Sequence, residues 1–133
     1  DPKEKGLRKI LNFGHTLGHA IESYFLASPT KKRLLHGEAI AIGMVLEAYL
    51  SVHCSELSIE EANDIKTTFS NHFETVKISV IEQNEIIALL RHDKKNKAGR
   101  INFSLLKSIG IPKIDVEVPK DYFSKAFQYY SNT

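Results

Sequence analysis

The chain of 133 residues is 42% hydrophobic and 26% charged, with seven glycines and four prolines. That globular balance excludes a disordered, collagen-like or disulfide-stapled chain. Its length suits one domain with its own core, and a net charge of +2, from 18 basic against 16 acidic residues, leaves no footprint for nucleic acid. Cys54 is the single cysteine, so no internal disulfide forms and a reducing cytoplasm is the simplest compartment. No uninterrupted apolar run approaches the ~18 residues of a membrane span, and the first residues lack the apolar segment of a signal peptide. The chain opens on Asp1 without an initiator Met, so it is expected to be a piece of something longer.

From Leu7 to Leu26 the apolar residues Leu7, Ile10, Leu11, Leu17, Ala20, Ile21, Tyr24 and Phe25 recur at helical spacing. Gly14 and Gly18 fall inside that pattern, where small residues four apart permit close approach of another backbone or a ligand. A loop with a basic end follows, Ser28 to Arg33. A second helix, His36 to about Cys54, is apolar around most of its circumference, as suits a helix at the centre of a domain. Ser58 with Glu60 and Glu61 opens a third helix over roughly 58–71. A fourth runs from about Glu82 to His92 and ends in the charged turn Asp93 to Gly99. The stretches 100–106 and 114–118 alternate, predicting two short strands paired across Gly110–Pro112. A last amphipathic helix, about 120–131, puts Tyr122, Phe123, Ala126, Phe127 and Tyr130 on one side. The predicted fold is therefore all-α, a single multi-helix domain over 1–133 with a small β-hairpin. It lacks a strand–helix–strand unit with a Gly-rich phosphate loop, so no NAD site is expected within it.

Three of the six histidines are placed for chemistry. His15 and His19 are four apart on the first helix, so their side chains share a face, and His36 opens the second in His36-Gly37-Glu38. Imidazoles on facing helices can converge on zinc, whose catalytic sites take three protein ligands and keep one position open. The same pair also reads as a polar stripe or as two hydrogen-bonded histidines. Glu22 and Glu38 are candidate ligands or carboxylates that fix a histidine tautomer, and equally a solvated side chain and a capping charge. Arg8 and Asn12 continue the face of His15 and His19 at helical steps. That face resembles the wall of a polar cleft, since Arg suits carboxylate or phosphate. Lys94 and Lys95 complement a helix end, with one of them in reach of an anion.

The runs GLRKILNFGHTLGHAIE over 6–22, LHGEAIAIGM over 35–44 and DKKN over 93–96 resemble the C-terminal domain of the 3-dehydroquinate synthase family, along the length of the chain. The resemblance implies a helical metal- and substrate-binding domain, dehydroquinate synthase-like in fold. In that family it follows an N-terminal domain that carries the NAD site, one glutamate zinc ligand and several substrate-binding groups, none of them in this chain. It implies a whole protein, expected as a cytoplasmic homodimer, that converts the sugar phosphate 3-deoxy-D-arabino-heptulosonate 7-phosphate into 3-dehydroquinate and phosphate in the shikimate pathway. Zn2+ (or Co2+) and NAD are the implied cofactors, and the isolated fragment is expected to be inactive. By motif position, His15 and His36 match metal ligands, and His19 a substrate-contacting histidine with a proton-relay role. Arg8 and Asn12 match substrate-anion contacts, Glu4 an active-site carboxylate, and Lys94 or Lys95 a phosphate-side lysine. Spacing alone would instead pair His15 with His19 on the metal. Two further readings stand beside this one: a sibling cyclase that makes a valiolone or an inosose, and a non-catalytic helical interaction module.

Overall fold

The computed structural model describes residues 13–27, 34–91, 101–109 and 111–131. Among them are five helices and one hairpin, in the order α1 (His15–Ala27), α2 (His36–Cys54), α3 (Ile59–His72), α4 (Val80–Arg91), β1 (Ile101–Ser108), β2 (Ile111–Val118) and α5 (Asp121–Ser131). The all-helical class with a minor hairpin is what the periodicities predicted. Helix α2 is the hub, packed against α1, α3, α5 and both strands. Eleven of its residues are buried, which explains why its sequence is apolar on nearly every side. At 19 residues and a mean hydropathy of 1.2 it also meets the length and composition of a membrane span, but 61% of that window is buried inside the fold.

Local signals set the helix starts of α3 and α4. Glu61 N–H donates to Ser58 Oγ at 3.1 Å and Ser58 N–H to Glu61 Oε1 at 3.4 Å. Ser79 and Glu82 repeat this reciprocal cap at 2.8 and 3.2 Å. In α5, Phe123, Ala126, Phe127 and Tyr130 are buried as one stripe, and the Tyr130 hydroxyl accepts Val76 N–H at 2.9 Å, tying α5 to the segment before α4.

Two expectations need correction. The first helix does not run unbroken through Gly14: Phe13 and Gly14 form a turn, Gly14 has φ +82°, and the helix starts at His15. A left-handed backbone suits a residue without a Cβ. Arg8 and Asn12, expected to continue the face of His15, lie outside the described residues. The second correction concerns the hairpin. β1 does not alternate, because Phe103, Ser104, Leu105 and Leu106 are all buried. The ladder is irregular there, with Ile114 and Asp115 together opposite Ser104, and Asp115 sits at φ 56°. Such a bulge re-aims side chains, so that Leu105 enters the main core while Leu106 joins a separate cluster with Ala48, Leu57 and Ala62. Leu106 lies opposite Pro112, and its N–H donates instead to Ser51 Oγ at 3.0 Å, which itself donates to Glu47 O at 2.7 Å. β2 also begins earlier than the alternation suggested, at Ile111.

The α1–α2 seam is a backbone-to-backbone contact. A Cβ added to Gly43 would collide with Gly14 O and lie 2.6 Å from Gly18 N, and one added to Gly18 would lie 3.1 Å from Ile40 Cα. Gly14, in the turn before α1, and Gly18, within it, thus serve another backbone. Beside this seam Glu47 is wholly buried. Its carboxylate accepts Gly14 N–H at 2.9 Å and Leu17 N–H at 3.0 Å. Burial pushes the Glu47 carboxyl up to about 8, against the downward pull of those two hydrogen bonds.

Two outcomes follow from the seam. Gly43→Ala should lower stability by about 3 kcal/mol, since neither facing backbone can yield without parting the helices, and a thermal melt of the variant reads this directly. The second outcome concerns pH. A carboxyl with a folded pKa near 8 and an ordinary value of 4.5 holds its proton more tightly folded than unfolded. Its contribution is complete below about pH 4.5 and is lost as pH rises through 8. Denaturant melts across that window should show the native chain losing stability relative to Glu47→Gln, which cannot titrate.

Candidate metal and substrate site

The first turns of α1 and α2 meet beside the glycine seam and bring three imidazoles together. Ring centroids lie 5.3 Å apart for His15 and His19, 6.3 Å for His15 and His36, and 5.9 Å for His19 and His36. His15 and His19 are neighbours because they stand four apart on one helix, and His36 faces them because Gly43 lets α2 lie close. The His19 and His36 residues are exposed and His15 is half-buried, so the cluster opens to the surface.

The hydrogen bonds distinguish the three rings. His15 Nδ1 lies 3.2 Å from Phe13 O. A carbonyl only accepts, so Nδ1 carries the proton and Nε2 presents its lone pair. His36 Nδ1 lies 3.1 Å from both oxygens of Glu22, which fixes the same tautomer while that carboxylate is ionised. Metal-bound histidines are held this way, with the second nitrogen donating to a carbonyl or carboxylate. His19 Nδ1 is 3.8 Å from Glu22 Oε1, too long for such a bond. The donor chemistry fits a borderline-soft divalent ion such as zinc. Among the described residues, the set whose ligand atoms all lie within 4.8 Å of one another is His19, Glu22 and His36, without His15.

Of the two carboxylates weighed in the sequence, Glu22 belongs to this cluster. Glu38 caps its own helix by accepting Leu35 N–H at 2.9 Å. Glu4, Arg8, Asn12, Lys94 and Lys95 lie outside the described residues. His53 stacks between Tyr49 and Tyr122, with centroids at 4.6 and 5.7 Å, away from the site. Half-buried Cys54 has its thiol pushed up by burial, the opposite of an activated nucleophile. Sequence reasoning passed over Glu47, the residue that fixes the start of α1. Its signal was available, as one acid within the apolar run from Ala39 to Leu50.

Known proteins resemble this chain over most of its length. Two 3-dehydroquinate synthases match: that of Parabacteroides distasonis is 38% identical over 130 residues, and that of Leptospira interrogans 43% over 122 residues. They cover 98% and 89% of this chain, which spans 36% and 31% of their lengths, about a third. Among solved structures, a 2-epi-5-epi-valiolone synthase from Streptomyces hygroscopicus with NAD+ and Zn2+ bound shares the fold at a TM-score of 0.67 and 25% identity, over 90% of this chain and 32% of that one. A 2-deoxy-scyllo-inosose synthase complexed with carbaglucose-6-phosphate, NAD+ and Co2+ also has a TM-score of 0.67, at 21% identity over 88% of this chain and 32% of its own. Residues 1–96 match the family model described as the 3-dehydroquinate synthase C-terminal domain, and the chain belongs to that family.

Proposed function

We propose that this chain is the metal- and substrate-binding part of a 3-dehydroquinate synthase, acting with an NAD-binding N-terminal domain on 3-deoxy-D-arabino-heptulosonate 7-phosphate to release 3-dehydroquinate and phosphate. The observation that carries this reading is the convergence of His15, His19 and His36, two of them with Nδ1 already bound and Nε2 directed elsewhere. Relatives bearing that enzyme's name at 38–43% identity favour it over the inosose and valiolone cyclases, which match at 21–25%. Arg8, suited to a substrate carboxylate, points the same way. In this reading the whole protein is a cytoplasmic homodimer.

His15 and His36 would hold the ion through Nε2, with Glu22 fixing the His36 ring and the N-terminal domain completing the ligand set. When bound there, zinc or cobalt would supply Lewis-acid charge and NAD reversible hydride acceptance. The chain's own contributions are binding and proton transfer. Arg8 and Lys94 or Lys95 would neutralise the substrate's carboxylate and phosphate, Asn12 would donate neutral hydrogen bonds to the same anions, and Glu4 would add an active-site carboxylate. His19, whose Nδ1 has no hydrogen-bond partner among the described residues, can take a proton at one nitrogen and give one at the other. Elimination of phosphate and opening of the ring both require that exchange.

This assignment yields a test that spacing alone would answer differently. In the polypeptide joined to its N-terminal domain, His15→Ala and His36→Ala should each lose the metal and the activity together. His19→Asn should keep a full complement of metal while turnover falls ~10²–10⁴-fold. Metal content by elemental analysis, with phosphate release as the rate, separates the two. Loss of metal from His19→Asn, with His15→Ala retaining it, would move the ion to the His19–Glu22–His36 grouping. The chain without that domain should release no phosphate and show no NAD binding by calorimetry. Micromolar affinity there would overturn the division of labour.

A further inference from the structure

The geometry points to Glu47 as the positioning residue of the His15 imidazole, acting through the peptide that joins Phe13 to Gly14. A peptide unit is planar and trans, so its N–H and C=O point in opposite directions. Glu47 Oε1 grips the Gly14 N–H at 2.9 Å, and the carbonyl of that same peptide accepts from His15 Nδ1 at 3.2 Å. One hydrogen-bonded line therefore runs from a buried carboxylate on α2, across a single peptide, to the ring on α1. Holding one end of the peptide sets the direction of the other, and that direction decides which ring nitrogen is left with a lone pair.

The cap at α1 is built differently from those of α3 and α4. Helices α3 and α4 are each capped by a serine and a glutamate three residues apart. At α1 the capping position is Gly14, whose carbonyl accepts Gly18 N–H at 3.0 Å and which has no side chain to offer. Glu47, 33 residues away, supplies both halves of the cap from a neighbouring helix, taking Leu17 N–H with its second oxygen at 3.0 Å. The helix N-terminus favours a negative charge. A wholly buried carboxylate is an expensive way to cap a helix, but position 14, at φ +82° and with the Met44 backbone against it, has no room for a capping side chain of its own. What the distant carboxylate adds is a rigid grip on the 13–14 peptide.

The inference draws its purpose from the reading of His15 as a metal-facing imidazole, while its test needs no metal. In the metal-free chain at about pH 8.5, above an imidazole's ordinary pKa of ~6.5, long-range proton–nitrogen NMR should find His15 chiefly in the Nδ1–H form. Glu47→Ala and the volume-conserving Glu47→Met, neither of which offers an oxygen to Gly14 N–H, should each lower its ratio of Nδ1–H to Nε2–H roughly fivefold, the weight of one net hydrogen bond, with His19 unchanged. Circular dichroism checks that each variant is folded. An unchanged ratio in a folded variant overturns the inference, because the peptide would then hold itself. Should neither variant fold, the wild-type chain decides: His15 in the Nε2–H form, or a Gly14 amide that exchanges freely with solvent, overturns it. Retention of metal by His15→Ala in the complete protein would instead remove the metal role of His15 and leave the tautomer result standing.

Discussion

The structure around the site depends on one constraint, the direct contact of two helix backbones at Gly14, Gly18 and Gly43. Such a contact leaves no room for side chains, so the polar groups at the seam must be satisfied by whatever reaches in from the edge. Glu47 does this with both carboxylate oxygens. Its burial would be prohibitive without donors. The seam offers backbone N–H groups at a helix start, where their dipoles also favour the anion. Packing and electrostatics therefore specify each other here: the glycines bring the donors to Glu47, and Glu47 satisfies the donors that the glycine cap leaves open.

Above the seam the character changes within one helical turn. Leu17, Ile21 and Phe25 on α1 are buried in the core, while His15, His19 and Glu22 turn toward the surface with His36. The same helix thus carries a core stripe and a site stripe, each kept in register by the close crossing with α2. His15 and His36 take their Nδ1 partners from opposite kinds of group, a backbone carbonyl and a carboxylate. The Glu22 partner is half-exposed and can respond to solvent, whereas the peptide partner is tied to the core through Glu47.

Much of this was legible in the sequence wherever the information was local. The period of the apolar residues located α2, α4 and α5, and Ser58 with its following acids located the start of α3. The juxtaposition of His15 and His19 was legible too, because i and i+4 on one helix is a geometric statement. Tertiary relations were less so. Gly14 looked like a residue within a helix because the apolar pattern continues on both sides of it, and only the crossing with α2 shows why it turns the chain instead. The burial of four consecutive residues in β1 depends on a bulge and on a second cluster behind it, neither of which alternation encodes. Glu47 was hidden for the same reason: its partners are backbone groups some 30 residues away in sequence, and a backbone N–H leaves no mark in a sequence.

That last point explains why Glu47, and not an ion pair, stands at the seam. A Lys or Arg partner would need a channel for its long side chain, which the contact among Gly14, Gly18 and Gly43 excludes. A neutral serine reaching from α2 would be too short to bridge two donors three residues apart on α1. A carboxylate on a two-carbon stem has the reach and the two oxygens, and it is the smallest side chain that has both. The consequence is a coupling between stability and site geometry. Any substitution that widens the seam draws the donors away from Glu47, loosens the 13–14 peptide and moves α1 against α2, so the spacing of His15 from His36 changes by the same displacement. The stiffness of the backbone contact is what lets imidazoles at an exposed surface keep a defined arrangement.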